Sequence, residues 1–308
     1  MLEHETISTK IKRQAIALGF DDVGIAKVQN TGKLHEHLES WIQKGYHGSM
    51  EYMRNNIETR SKPILYVPEA KSVIVVIVNY YQENIKSKSK YKIAQFAHVQ
   101  DYHYVLKEKL NQLLSFIVDI EPKTIGKISV DAQPVAERYW AVQAGLGFIG
   151  QNTMFIHPKL GSFNFIGTIV TNLELDSDTS SNETCLGCGK CISSCPNGAI
   201  VEPYTLDSQR CISYQTIESR SESIFNERIK FENYIFGCDI CNLVCPHNEN
   251  IPLANKNNFA AKPEITNMTD DDWNTLGSSQ FKRRFSHSPL RRAGLRGIRR
   301  NILWCNKK

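Results

Sequence analysis

No stretch of this 308-residue chain is apolar for long enough to cross a bilayer: the longest purely aliphatic run is Val73 to Val78, against the roughly 20 residues a spanning helix needs. The N-terminus, Met1-Leu2-Glu3-His4-Glu5, lacks the apolar core of a secretory leader. A cytoplasmic protein without membrane association is the expectation. There is no Walker A pattern, and Gly145-Leu146-Gly147-Phe148-Ile149-Gly150 spells Gly-x-Gly-x-x-Gly only after a helical pattern instead of opening one, which argues against a dinucleotide site. No internal repeat or low-complexity segment is present. Acidic residues are missing from Phe281 to Lys308, which hold ten of the 37 Lys and Arg; residues 1–280 therefore carry 27 basic against all 32 acidic side chains. The net charge of +5 is a property of the tail. With 41% hydrophobic residues, the chain can bury a sizeable core in two or three domains.

Cysteine is present in a pattern. Eight of nine fall into two runs: Cys185, Cys188, Cys191 and Cys195-Pro196, then Cys211 followed by Cys238, Cys241 and Cys245-Pro246. The first run has the spacing of bacterial two-cluster ferredoxins, in which the fourth cysteine crosses to the other cluster. Two [4Fe-4S] clusters are expected, with Cys185, Cys188, Cys191 and Cys245 on one, and Cys195, Cys211, Cys238 and Cys241 on the other. Zinc knuckles need neither a third cysteine at this spacing nor the trailing Cys-Pro, and a disulfide framework belongs to small secreted domains. Cys305 stands outside both runs as a free thiol.

The first 170 or so residues alternate helical and extended patterns. Ile7, Ile11, Ala15 and Leu18 mark a helix stopped at Gly19; Leu106, Leu110, Leu113 and Ile117 mark another ended by Glu121-Pro122; a third spans about Val135 to Ala144 before Gly145. Val73–Val78 reads as a buried strand, and Phe163–Thr171 as a second in which Gly167 marks a bulge or a close approach. The fold class is α+β, with an α/β domain over 1–175, a ferredoxin-like domain over 176–255 and a basic helical region over 256–308. Asp176–Thr184 and Asn250–Asn267 read as the linkers. In the tail, Ser288-Pro289 starts a helix whose Leu290, Gly294, Leu295, Ile298 and Ile302 form one stripe, while Arg292, Arg296, Arg299 and Arg300 form another. An arginine stripe suits a phosphate backbone, or else packs on acidic neighbours.

Several motifs occur together in order: Asp101-Tyr102-His103, Asp131-Ala-Gln-Pro-Val-Ala-Glu-Arg138, Ala144-Gly-Leu-Gly-Phe-Ile-Gly-Gln-Asn-Thr153, Gly161-Ser-Phe, Cys195-Pro-Asn-Gly-Ala-Ile-Val-Glu-Pro-Tyr204, Arg210-Cys-Ile-Ser-Tyr214, Gly237-Cys-Asp-Ile-Cys241 and Arg299-Arg-Asn301. From about Gly48 to Asn301 the chain closely resembles the epoxyqueuosine reductase family. It departs from that family's usual pattern at Asn55, Gln95, Val99 and His247.

The resemblance implies a cobalamin-dependent iron–sulfur oxidoreductase that reduces epoxyqueuosine to queuosine at the wobble position of tRNA, the last step of queuosine synthesis. It implies a cobalamin-binding N-terminal domain related to reductive dehalogenases, and a short-form tail without the helical repeats some members carry. It makes Asp131 the proton donor, where the residue alone would read as a cap or turn aspartate. Glu137 and Arg138 would organise it or form an ion pair. Arg60, the Gly150–Phe155 segment with Gln151, Asn152, Thr153 and Phe155, and Ser213, Cys238 and Asp239 beside the second cluster would contact cobalamin. His47 and His103 read as structural. Implied partners are tRNA carrying epoxyqueuosine and a low-potential donor such as a flavodoxin or ferredoxin, with the chain a monomer. A reductive dehalogenase acting on a small molecule is the alternative, although it would usually carry a twin-arginine export signal and gives the basic tail no purpose. A pure electron carrier would not need the N-terminal domain.

Overall fold

The structure is a computed structural model describing residues 5–29, 31–83, 85–221 and 229–307. Met1 to His4 of the N-terminus discussed above, and Lys308 of the tail, lie outside the described residues. Helix α1 (Ile7–Ala17) is capped by the Thr6 hydroxyl, which accepts from the Thr9 N–H at 3.3 Å, and the chain leaves it through Gly19 at φ +85°. Its Ile11 and Ala15 are fully buried, as their spacing predicts.

Strands β1 (Asp22–Lys27), β2 (Ser72–Asn79), β3 (Gly126–Ser129) and β4 (Asn164–Thr171) form one sheet in the order β1-β2-β4-β3, and every neighbouring pair is antiparallel. The α/β reading of this part is therefore corrected to α+β. Alternating helical and extended patterns are common to both arrangements, because hydrophobic period records which faces are covered and not the direction in which the chain re-enters the sheet.

Both faces are covered here. Helix α2 (Tyr102–Ile120) lays Leu106, Leu110, Leu113 and Ile117 together with α1 over Ile74, Val76 and Val78. Helix α3 (Glu137–Gln143) brings Trp140 and Ala141 over Val73, Val75 and Ile77. All six side chains from Val73 to Val78 are fully buried, which at about 1.5–3 kcal/mol each makes β2 the main anchor of the domain. Gly167 pairs in regular register with Val76, so it is no bulge; a Cβ there would stand 2.9 Å from Leu110 Cδ1, and the glycine marks the close approach of α2.

A further core joins Ile93 and Ala97, Ile235 and Phe236, and the C-terminal side chains Ile265, Trp273, Phe281, Phe285, Leu290, Ile298 and Ile302. It draws on all three segments expected from the sequence. The Asn250–Asn267 loop is pinned to the first domain, with Asn79 Nδ2 donating to Pro252 O and Asn258 Nδ2 to Gly19 O, each at 2.8 Å. The single helix expected from Ser288 is two elements: a 3-10 turn over Pro289–Arg292, capped by Ser288, then helix α4 (Gly294–Asn306) entered through Gly294 at φ +67°. Among the described residues no helix is long and apolar enough to cross a membrane.

Candidate active site

The turn that follows β3 sets the site. Asp131 takes a left-handed conformation, φ +60°, which is strained for a residue with a Cβ and persists where surrounding contacts enforce it. The enforcing contact is Glu137 at the start of α3: its Oε1 accepts from the Asp131 N–H at 2.8 Å and from the Ser129 hydroxyl at 2.7 Å. This turn delays α3 to Glu137, two residues later than the periodicity suggests. The Asp131 carboxylate accepts from the Tyr102 hydroxyl at 2.7 Å, and His103 Nε2 stands 3.6 Å from it. His103 Nδ1 is in turn 2.8 Å from Asp101, the N-cap of α2. His103 thus belongs to the acid cluster, a correction to its structural reading; its place beside Asp131 depends on two elements meeting and leaves no trace in local sequence. Arg138 donates to Thr153 O at 2.6 Å and flanks the same carboxylate.

The cluster stores protons unequally. Asp131 has 66% of its side chain open to solvent, yet protein flanks it closely enough for burial to oppose its charge, the signature of a cleft. Burial pushes its carboxyl up, but His103, Tyr102 and Arg138 outweigh that and hold it below the usual carboxylate range. Glu137 is pushed up to about 8 by burial and by the charge of Asp131. Burial lowers His103, but the two aspartates outweigh it and raise the imidazole to about 9. Near neutrality Asp131 is ionised while Glu137 and His103 hold protons. Both raised groups bind their proton more tightly folded than unfolded, so the stability they contribute is present at low pH and is lost as pH climbs through about 8 and about 9. The melting temperature of the parent is expected to fall between pH 7 and about 9, and a Glu137→Gln, His103→Gln double variant to show a flatter profile over that window; parallel profiles would remove these two groups from the account.

The thiols form two groups. Cys245 lies among Cys185, Cys188 and Cys191, and these four line one pocket, open to solvent, with Gln151, Asn152 and His247. Cys241, pushed well up by burial, is raised further by Cys211, Cys238 and Cys195. All are free cysteines, and the Cys195 sulfur accepts from the Ala199 N–H at 3.2 Å. Among the described residues no three His, Cys, Asp or Glu side chains converge as they would on a single metal ion. Burial raises the thiols of Cys191, Cys211, Cys238, Cys241 and Cys245, which keep their protons unless a metal group takes their charge; four thiols in each group are the donor set of a cluster bound through four sulfurs. The second group lies behind the acid cluster: the Tyr102 ring stacks on Phe165 at 4.2 Å, Phe165 lies 4.3 Å from Tyr80, and Tyr80 feels the charges of Asp239 and Cys241.

Of the remaining predicted contacts, Arg60 is 8% exposed with no partner for its Nε, and it lies within electrostatic reach of Glu137 and Asp131. Gln151 Oε1 is likewise buried and unpartnered, while Asn152 is buried and Thr153 takes φ +65°. Arg60 Nε is the orphaned polar atom near Asp131 that a large polar cofactor in the cleft would satisfy, whereas Gln151 lies at the pocket of the first thiol group. The Phe155 side chain is not available to such a cofactor: it is packed in the core with Val67, Trp140 and Leu146, because the segment is a tight hairpin between Phe148–Ile149 and Phe155–Ile156. Ser213 is half-buried; Asp239 is buried, accepts from the Gln95 N–H at 2.7 Å and is pushed by burial to about 6. His47 is buried near Trp41.

The arginine stripe needs correction as well. Arg300 points inward, donating to Ser219 O, Ser221 O and Gln215 O at 2.6–3.1 Å over the Trp304 ring. Arg292 makes a two-point pair with Glu218 at 2.7 and 2.9 Å. Arg296 and Arg299 reach the surface, each with a partner within the protein, Arg299 donating to Leu276 O at 2.8 Å. Helical spacing placed the four together, but neighbours contributed by the cluster domain claim two of them.

Two family models match the chain: one described as a 4Fe-4S double cluster binding domain, over residues 184–248, and one described as epoxyqueuosine reductase QueG, DUF1730, over residues 60–132. Among curated relatives, an epoxyqueuosine reductase of Cellulophaga algicola is 38% identical over 298 residues, covering 97% of each chain. One of Leadbetterella byssophila is 40% identical over 295 residues, covering 96% of this chain and 97% of its own. A crystal structure of epoxyqueuosine reductase with an epoxyqueuosine-modified tRNA-Tyr stem loop superposes with a TM-score of 0.84 at 27% identity, over 96% of this chain and 80% of that one. A reductive dehalogenase, described with a mechanism for B12-dependent dehalogenation, reaches 0.50 at 16% identity over 82% of this chain and 34% of its own, a likeness of fold alone.

Proposed function

The chain belongs to the epoxyqueuosine reductase family, and from that premise we propose that it reduces epoxyqueuosine to queuosine at the wobble position of tRNA, in the cytoplasm. The epoxide oxygen leaves as water, and the two carbons that held it become an alkene. The balance is two electrons and two protons in, one water out. The observation that carries the reading is the Asp131 cluster, an acid site in an open cleft backed by one of two four-thiol groups.

Two [4Fe-4S] clusters on the thiol groups named above would deliver the electrons singly. Cobalamin, when bound, supplies a cobalt centre that can be reduced far enough to open a strained carbon–oxygen bond. Arg60 and the backbone of Thr153 would hold it in the cleft, Arg60 by pairing with its polar side chains. As negative charge develops on the substrate oxygen beside Asp131, the proton affinity of that carboxyl rises. The His103 imidazolium, 3.6 Å away, then gives its proton to Asp131, which passes it to the oxygen; a second proton follows from solvent through the same two residues, and the oxygen departs as water. Asp101 positions His103, and Glu137 holds the strained turn. The test is anaerobic: protein loaded with clusters and cobalamin, given a chemical reductant and epoxyqueuosine-containing tRNA, should yield queuosine. Loaded protein that leaves the epoxide intact would overturn the proposal.

The basic tail would grip the phosphate backbone of the tRNA. Arg296→Gln with Arg299→Gln is expected to weaken tRNA binding and to flatten its log–log salt dependence by roughly 0.7–0.9 for each phosphate no longer neutralised. Arg300→Ala is expected instead to lower the melting temperature, by breaking carbonyl hydrogen bonds worth roughly 1.5–3 kcal/mol apiece at most. An unchanged salt slope in the folded double variant would move the grip to another surface.

A further inference from the structure

His247 lines the pocket of the first thiol group, and its Nε2 is buried there without a hydrogen-bond partner. It follows Cys245-Pro246 directly and is one of the four positions at which the chain departs from the family pattern. The surrounding structure fixes it in place. Its backbone N–H donates to the Cys245 sulfur, and the Phe148 ring stands edge-on to the imidazole at 5.0 Å. The turn that carries it, Pro246–Asn248, is pinned through Asn248, whose Oδ1 accepts from the Ser162 N–H at 2.7 Å and whose Nδ2 donates to Asn242 O at 2.7 Å and to the Ser162 hydroxyl at 2.8 Å. Gly161, at φ +66°, permits the approach: a Cβ there would stand 3.1 Å from His247 O. A buried polar atom without a partner costs stability, so a ring held this firmly with its nitrogen in a four-thiol pocket points to an acceptor that arrives after folding.

We propose that His247 donates its Nε2–H to a sulfur of the cluster held by Cys185, Cys188, Cys191 and Cys245, and thereby raises that cluster's reduction potential. The proposal deepens the functional reading above and rests on its placing a cluster on the first thiol group. A neutral imidazole carries one N–H, and a sulfur acceptor at Nε2 selects the tautomer with the hydrogen on that side. When the cluster takes one electron, negative charge grows on its sulfurs. A fixed donor facing them stabilises the reduced form more than the oxidised one, which moves the potential upward. No bond is made or broken and the hydrogen stays on the ring.

The test is a redox titration of cluster-loaded protein without cobalamin, followed by electron paramagnetic resonance of the reduced clusters. His247→Phe keeps a ring against Phe148 and removes the donor. It should make one of the two clusters about tenfold harder to reduce, a fall of about 59 mV for a one-electron couple, with the other cluster and the iron content at parental values. His247→Gln, which keeps an N–H at similar reach, should recover most of that fall. In parent protein labelled with ¹⁵N-histidine, pulsed resonance should show a weak nitrogen coupling to one reduced cluster, which needs no variant to fold. An unchanged potential in iron-replete His247→Phe, an equal fall in His247→Gln, or a labelled parent without that coupling would overturn the proposal. A parent that binds no iron would instead overturn the cluster reading beneath it.

Discussion

Asp131→Asn is expected to lower turnover on epoxyqueuosine-containing tRNA by roughly 10²–10⁴-fold, the span typical of a lost general acid. Asparagine is the substitution that isolates the proton. It tolerates the left-handed backbone at φ +60°, and its side-chain oxygen can still accept from the Tyr102 hydroxyl. Cluster content, tRNA affinity and cobalamin binding should therefore match the parent, so that kcat falls while binding holds. His103→Gln should cost less, because Asp131 can then be reprotonated by water, and should move the alkaline limb of the pH–rate profile that the raised imidazole sets near 9. Near-parental turnover in Asp131→Asn, with the fold intact, would take the residue out of the proton path and leave Glu137, raised to about 8, as the next acid to test.

Cys211→Ala should hold about four iron atoms after anaerobic reconstitution where the parent holds about eight. Cys211 is the ligand that spacing alone recruits least comfortably, since it lies far upstream of Cys238 and Cys241. The fold supplies the reason it can serve: Cys211 begins the short helix Ile212–Ile217, which packs on the strand Tyr234–Phe236 immediately before Cys238, and its charge is felt at both Cys238 and Cys241. Cys305→Ala should keep the full complement, since its sulfur faces the Tyr234 carbonyl at 3.4 Å and belongs to neither group. Eight iron atoms in Cys211→Ala would require a different fourth thiolate.

The grouping of the thiols was legible because ligand spacing is a local constraint: Cys185, Cys188 and Cys191 are brought together by one turn, and the crossover of Cys195 and Cys245 follows from the same rule. Helices α1 and α2 and strand β2 were legible because burial repeats with the period of the backbone, as in Leu106, Leu110, Leu113 and Ile117. The family could be named because many such motifs recur in order. What period cannot carry is direction or long-range pairing. Only the tertiary structure decided that the sheet is antiparallel, that the tail helix breaks at Gly294, and that Phe155 turns into the core. It alone set His103 and Tyr102 against Asp131, across 28 and 29 residues of chain, and gave Arg300 to the carbonyls of a neighbouring segment 79–85 residues away. In each case the deciding partner lies on another element, and a residue's own neighbours in sequence hold no record of it.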